Sequence, residues 1–189
     1  MRHSLIAAAF AAALAAPAFA EGWELDKSHA HVTFTADHLG FSMVHGQFRA
    51  FDIDVALDPE DFSSAEVRIV IDASSIDTAW EPRDTHLRNA DFLDVASHPE
   101  ITFVSTRVTP TGENAFEITG DLTLRGVTRE TTFAATMNKL APSPFNPEIT
   151  VAGFAVTGEI VRAEHGMNFA SGAFDVIPVR ADFEITRQR

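Results

Sequence analysis

The feature that most constrains the fold is a two-residue alternation of apolar and polar side chains. From Phe116 to Leu124 every second residue is apolar or glycine, and Glu117, Thr119, Asp121 and Thr123 stand between them. The same period runs through 51–57, 65–71 and 177–185. Since successive side chains of a strand point to opposite faces, this pattern predicts antiparallel strands with one buried face.

Turn-forming residues separate the alternating runs and set the number of strands. Asp58–Asp61, Thr111–Asn114, Arg125–Val127 and the proline-rich 142–147 each interrupt the pattern. We therefore expect eight strands, at 23–38, 46–58, 64–73, 99–109, 114–124, 128–139, 149–162 and 174–187. The residues from Asp77 to Ala96 do not alternate, and they predict one or two short helices between the third and fourth strands.

This all-β pattern fits two architectures, a sandwich or a closed barrel, and periodicity alone does not choose between them. A barrel of about eight strands has room inside for side chains or one small ligand. The sequence has sixteen phenylalanines and no tyrosine. Phenylalanine brings aromatic bulk without a hydroxyl that needs a partner, so this choice suits a dry lining as well as plain core packing.

The first twenty residues have the composition of an export signal. A basic start at Arg2 leads into the apolar run 5–16, and Ala18-Phe19-Ala20 matches a signal-peptidase site. We expect residues 1–20 to be a cleaved signal peptide and 21–189 to be one exported domain. The chain has no cysteine, which excludes disulfides and thiolate chemistry. Its net charge of −13 argues against nucleic acid and against tight attachment to an anionic membrane.

Catalytic motifs are missing from the sequence. It has no Gly-x-Ser-x-Gly elbow and no phosphate-cradling Gly-x-Gly-x-x-Gly loop, so we expect no enzyme. Metal binding by histidines is the alternative that we leave open, although no metal site is predicted because spacing does not place a third or fourth ligand. The histidine candidates, with one methionine, are His29, His31, His38, His45, His165 and Met167.

Two polar positions are candidates for the mouth of an interior cavity. His38 continues the apolar face of Val32, Phe34 and Ala36, so the first strand ends with an imidazole pointing where its apolar residues point. Arg83 begins the cluster Arg83–Arg88, and an Arg–Asp pair at a helix start usually caps the backbone or braces a loop. Either residue could hold the head group of a ligand.

The motifs of the chain, taken in order, resemble the YceI-like family of periplasmic, lipocalin-like polyisoprenoid-binding proteins. The resemblance rests on Trp23–Phe34, His38–Gly40, Gly46–Phe48, Ser75–Thr78, Arg83–Asp94, His98–Phe103 and Gly120–Thr128. It covers nearly all of 21–189. Residues 162–167 depart from it, since Arg-Ala-Glu-His-Gly-Met stands where Arg-x-Asp-Phe-Gly is more usual.

The resemblance implies an eight-stranded antiparallel lipocalin-like β-barrel in the periplasm that carries an isoprenoid lipid or isoprenoid quinone, with no cofactor. We expect transient membrane contact and keep a homodimer as one alternative. We expect the tunnel to be lined by Val32, Phe34, Ala36, Phe48, Phe51, Phe103, Phe116, Phe133, Phe154 and Phe183, with His38 and Arg83 at the mouth.

Overall fold

The computed structural model describes residues 22–188, and within that range it contains ten strands and one α-helix. Residues 1–20, for which a signal peptide is predicted, lie outside it. The strands are β1 (Glu24–His38), β2 (Ser42–Phe48), β3 (Phe51–Asp58), β4 (Asp61–Asp72), β5 (Ile76–Asp77), β6 (Glu100–Pro110), β7 (Ala115–Leu124), β8 (Val127–Pro142), β9 (Ile149–Val161) and β10 (Val176–Gln188). The helix α1 (Glu81–Arg88) lies in the segment where the sequence predicts it.

The prediction of eight strands is wrong at two places. The segment 46–58 is two strands, because the backbone of Arg49 and Ala50 bonds to Ser75 and Asp72 instead of continuing one ladder. The second difference is the two-residue β5, which pairs with β2 through Gln47 and Phe48. A run of two residues is too short for an alternation to reveal it.

All ten strands form one antiparallel sheet in the order β3-β4-β6-β7-β8-β9-β10-β1-β2-β5. The sheet curls into a half-barrel, so that the start of β1 approaches β3. Side chains join the two strands there. The Trp23 indole Nε1 donates to the Leu57 carbonyl at 3.0 Å, and Lys27 Nζ lies 3.1 Å from the Asp52 carboxylate.

A bulge in β1 changes which residues face the interior. Asp26 pairs with Glu184 and His31 pairs with Asp182, so four residues of β1 stand opposite one residue of β10. Before the bulge Trp23 and Leu25 pack against the interior, and after it Ala30 and Val32 do. The bulge therefore brings the even-numbered residues of β1 onto the inner face.

One end of the curled sheet is filled by its own side chains. Phe154 and Phe183 stack with ring centroids 5.5 Å apart, and Phe62 and Phe116 stack at 5.2 Å. Around them lie Ile53 and other buried aliphatic residues of β3, β9 and β10. The opposite end holds α1 and the segment 162–175, because the strands that flank these connections all end there.

Helix α1 is fixed to the sheet by a buried carboxylate. Asp84, 3% exposed, accepts hydrogen bonds from the backbone N–H and the hydroxyl of Thr78, which follows β5 directly. The Arg83 Nε also donates to the Thr78 hydroxyl, at 2.7 Å. This seat places α1 across the end of the sheet. Over residues 22–188, no helix combines the length and apolar character that crossing a bilayer takes.

Candidate functional site

A cavity of about 580 Å³ lies between the inner face of the sheet, α1 and the segment 162–177. Its deep wall includes Phe103, Phe133 and Val156, and its outer wall includes Trp80 and Phe169, which are both exposed. The volume falls in the range of sites that hold drug-sized ligands. Almost all of the lining is apolar carbon.

Part of the inner face along this cavity is not packed as a normal core. Phe34, Phe133 and Val156 point inward, yet they are only half-buried. In the filled end, residues on the same face such as Ile53 and Ile185 are 2% and 1% exposed. These side chains pack against the core on one side and leave the rest of their surface facing the cavity, which indicates room for a guest that would complete the packing.

Three phenylalanine rings of the wall contact glycines of neighbouring strands. Phe34 covers Gly46, with which it pairs across β1 and β2. Phe103 covers Gly120, and Phe133 covers Gly158. Since a β-carbon at any of these glycines would overlap a ring, the glycines let the rings lie against the sheet and leave the centre of the cavity clear.

The ten residues predicted to line a tunnel occupy three places. Val32, Phe34, Ala36, Phe48, Phe103 and Phe133 line the large cavity. Phe116, Phe154 and Phe183 instead border a separate void of about 40 Å³ in the filled end. Phe51 packs against two groups of buried side chains, one that includes Phe103 and one that includes Phe154. One continuous tunnel is therefore not what the structure shows, because stacked rings close the far end. Ligand contact by any of these residues stays a prediction.

The two predicted mouth residues both line the cavity, in different settings. His38 is exposed, beside the β1–β2 hairpin. Arg83 is partly buried, donates to the Thr78 carbonyl and hydroxyl, and lies 5.6 Å from the centre of the Trp80 ring. Arg83 therefore has a bracing role in the structure.

Sequence reasoning missed the walls that α1 and the segment 162–177 contribute. His86, Phe92 and Phe169 form an aromatic cluster with ring centroids 4.9 to 5.3 Å apart. These residues lie outside the alternating runs, so no periodicity assigned them a face. The signal that was available is the presence of Trp80, Phe92, Phe169 and Phe174 in segments otherwise rich in turn and polar residues.

Arg162, directly after β9, is the most buried cation of the cavity wall, at 5% exposure. Its guanidinium donates to the carbonyls of Phe169, Ala173 and Phe174, and it lies 5.7 and 5.2 Å from the rings of Phe92 and Phe174. Burial lowers the pKa of Arg162, and the Asp175 carboxylate 3.8 Å away opposes that change. The arginine thus holds the segment 169–174 against the cavity.

Apart from the hydroxyls of Thr33, Thr78 and Thr102, the polar side chains of the cavity lining are arginines and histidines, and Arg180 among them is paired with Asp182. Arg83, Arg162 and Arg180 line it, together with His38 and His86. Among the described residues of the lining there is no aspartate or glutamate, although the chain has 27 of them. The cavity therefore suits a ligand whose polar part accepts hydrogen bonds or carries negative charge.

The histidines considered for metal binding differ in burial and in hydrogen-bond partners. His165 is buried, with Nδ1 3.1 Å from the Val127 carbonyl, whereas His31, His38 and His45 are exposed. His29 lies beside Asp26 and Glu184 in the β1 bulge, and ligand-type atoms of these three fall within 4.8 Å of one another. Exposed groups of this kind are common without a metal. Metal binding stays a prediction, which a zinc titration can check.

Known proteins resemble this chain over most of its length. The YceI-like domain family matches residues 23–186. Protein YceI of Escherichia coli O17:K52:H18 is 38% identical over 164 residues, which cover 85% of this chain and 84% of the relative. A UPF0312 protein of Vibrio parahaemolyticus is 36% identical over 168 residues, which cover 87% and 88%.

Solved structures share the fold. A Campylobacter jejuni YCEI protein superposes with a TM-score of 0.70 at 26% identity, covering 87% of this chain and 97% of the other. BcnA of Burkholderia cenocepacia gives 0.77 at 20% identity, over 85% and 99%. A polyisoprenoid binding domain of Saccharophagus degradans gives 0.66 at 14% identity, over 89% and 99%. The family match over residues 23–186, with the E. coli and V. parahaemolyticus relatives at 38% and 36% identity, shows that the chain belongs to the YceI-like family.

Proposed function

We propose that this protein is a non-enzymatic carrier that binds the tail of an isoprenoid lipid in its apolar cavity. The observation that carries the proposal is the unfilled inner face, where Phe34, Phe133 and Val156 point inward without being buried. A flexible hydrocarbon with methyl branches supplies the missing contacts. The name of the S. degradans fold relative, a polyisoprenoid binding domain, agrees with this ligand class.

The energetics suit loading and release. Burying one methylene from water is worth about 0.8 kcal/mol, but a lipid tail comes from a bilayer that already dissolves it. Transfer from bilayer to cavity is therefore near balance, and the packing of the cavity decides its direction. A carrier needs such a balance because it must both take up and give up its ligand.

The test is lipid analysis of the intact protein. We expect native mass spectrometry and organic extraction of protein purified from its own host to show a co-purifying isoprenoid lipid. Ala36→Trp fills the cavity and should abolish binding of an added isoprenoid quinone. The control Thr35→Trp lies on the same strand, on the opposite face, and should leave binding unchanged. An empty wild-type protein that also ignores the added quinone would refute the proposal.

Contact with a membrane follows as part of the proposal. Leu39, Phe41 and Met43 in the β1–β2 hairpin are 60%, 85% and 49% exposed, and His38 and Val44 of the same hairpin line the cavity. Since the chain carries a net charge of −13, insertion of these apolar side chains, and not attraction to anionic lipids, would hold the protein at a bilayer.

Vesicle assays test this contact. We expect Phe41→Ser to slow quinone transfer from phosphatidylcholine vesicles while leaving equilibrium affinity in detergent unchanged. Phe145→Ser removes an equally exposed ring from the β8–β9 loop at the opposite end of the sheet and is the control. Equal transfer rates for Phe41→Ser and wild type would contradict the proposal that the β1–β2 hairpin inserts into the bilayer. A periplasmic location and a homodimer stay predictions that fractionation and sedimentation can check.

A further inference from the structure

The structure assigns to Arg162 the recognition of the lipid's polar head: we propose that its Nη1 donates hydrogen bonds to an acceptor oxygen of the head group. This inference rests on the proposed function and names the side chain that binds the polar head of the ligand. It also defines the ligand class, an isoprenoid whose head carries a carbonyl or phosphate oxygen. A pure hydrocarbon would bind less well.

The first support is an unsatisfied donor. Within residues 22–188, Nη1 of Arg162 is the one buried side-chain nitrogen or oxygen that has no hydrogen-bond partner. The Nε and Nη2 atoms are used, on the carbonyls of Phe174, Ala173 and Phe169. Leaving a buried charged donor unpaired costs free energy, and an oxygen brought by a ligand would remove that cost.

The second support is the charge around the guanidinium. Its partners are neutral carbonyls and the rings of Phe92 and Phe174, and the carboxylate of Asp175 lies 3.8 Å away and is half exposed. A buried cation with such incomplete neutralisation attracts an anionic or strongly polar oxygen. Asp175 is not a lining residue, and no aspartate or glutamate stands among the described residues that line the cavity.

The third support is position. Arg162 belongs to the end of the cavity that α1 and the segment 162–175 form, whereas Phe103, Phe133 and Val156 form the apolar interior. A lipid with its head at Arg162 would place its tail along those inner walls. Arg83 differs, because none of its nitrogens is a buried donor without a partner.

The experiment compares ligands with and without a head. We would measure dissociation constants for an isoprenoid quinone, a prenyl phosphate and squalene with wild type, Arg162→Met and Arg125→Met. Arg125 is the matched control, since it donates to the carbonyl of Gly166 in the segment 162–175 and to that of Ala90 after α1 but does not line the cavity. Fluorescence quenching and native mass spectrometry give the constants.

We expect wild type to prefer a headed ligand to squalene by about 10- to 100-fold, the usual effect of hydrogen bonds to a charged group. Arg162→Met should remove that preference and change squalene binding by less than about 3-fold, while Arg125→Met keeps the preference. Whether the quinone or the phosphate gains more identifies the oxygen. Equal loss for all three ligands, or no preference in wild type, overturns the inference. If wild type binds none of them, the proposed function itself fails.

A structural readout does not depend on the variant's folding. A crystal structure of wild type with the isoprenoid quinone should place a quinone oxygen within hydrogen-bond distance of Arg162 Nη1. A tail in the cavity with its head at Arg83 or in solvent would overturn the assignment to Arg162 while upholding the carrier function.

Discussion

The ring of Phe34 lies against the α-carbon of Gly46, its cross-strand partner, so closely that a β-carbon there would lie 2.5 Å from Cε1. A β-carbon at Gly158 would lie 2.9 Å from Cε1 of Phe133, and one at Gly120 would lie 2.7 Å from Cζ of Phe103 while also meeting the backbone of Val104 and Ser105. The width of the cavity therefore depends on residues that have no side chain. Each glycine lets a ring lie along the wall instead of across the interior.

Gly46→Ala should turn the Phe34 ring into the cavity. We expect it to lower affinity for an isoprenoid quinone at least 10-fold and to reduce the free energy of unfolding by about 1–3 kcal/mol, the usual cost of overpacking. Urea unfolding and ligand titration measure the two effects. Gly153→Ala is the control, because its β-carbon would come no closer than 3.9 Å to Glu184. Unchanged binding by Gly46→Ala would show that the ring does not define the cavity.

Phe183→Ala should separate stability from binding. The side chain is 5% exposed and stacks on Phe154 in the filled end, away from the cavity. We expect a loss of about 3–5 kcal/mol in unfolding free energy with ligand affinity within 3-fold of wild type. Phe133→Ala, on the half-buried wall, should show the opposite balance, with a smaller loss of stability and weaker binding. A large binding defect in Phe183→Ala would mean that the ligand reaches the filled end.

The sequence predicts the sheet well because alternation is a local property of each strand. The inward face of Val32, Phe34 and Ala36 follows from the period of two, and all three line the cavity. Alternation does not tell which inward rings meet each other. Phe116, Phe154 and Phe183 obey the same pattern as Phe34, yet their stacking closes one end, since the curl of the sheet decides which strands face one another.

The cavity residues that the sequence did not predict lie in connections between strands, where apolar and polar residues do not alternate. Arg162 comes directly after β9, and its burial arises from carbonyls of residues 169–174 that fold back over it. Phe174 has a left-handed backbone, with φ of 45°, which is unfavourable for a bulky residue and which local pattern does not predict. Long-range packing, and not local propensity, places these groups.

Asp26 and His29, which lie at the bulge in β1, should each shift the pKa of the other. The Ser28 hydroxyl and then His29 hold the pKa of the Asp26 carboxyl at about 2, below its ordinary value of 3.8. The Asp26 hydrogen bond raises the pKa of His29 above 6.5. We expect NMR titration to show both displacements, and Asp26→Asn to lower the pKa of His29 toward 6.5, with the nearby Glu184 carboxylate still raising it.

The same pair gives stability a defined pH window. The contribution of Asp26 is present above pH 3.8 and is lost as pH falls toward 2, because its folded pKa is lowered. The contribution of His29 is present below pH 6.5 and is lost as pH rises through its raised pKa. The stability difference between wild type and Asp26→Asn should therefore be largest between these limits. A difference independent of pH would contradict the pairing.

Thr78→Val should weaken the attachment of α1 to the end of the sheet. It keeps the shape of the side chain but removes the hydroxyl that donates to buried Asp84 and accepts from Arg83. We expect a loss of about 1–3 kcal/mol in unfolding free energy. Faster amide hydrogen exchange in 81–93 than in β7 would localise the effect. Thr123→Val is the control, because it removes a solvent-exposed hydrogen bond between the hydroxyls of Thr123 and Thr128. We expect it to lower the free energy of unfolding by less than Thr78→Val does.

The length of tail that the cavity accepts should be set at Val156. This residue lines both the large cavity and the small void beside Phe116, Phe154 and Phe183, so it forms part of the wall between them. With a series of prenyl ligands we expect affinity to rise with each isoprene unit and then level off when the tail meets the filled end. Val156→Ala should join the two spaces and move the plateau to longer tails, at a cost in stability of up to about 2 kcal/mol. Val151→Ala, whose residue borders neither space, should leave the plateau where it is. A plateau at the same length in Val156→Ala and wild type would show that the rings behind Val156, and not Val156 itself, stop the tail.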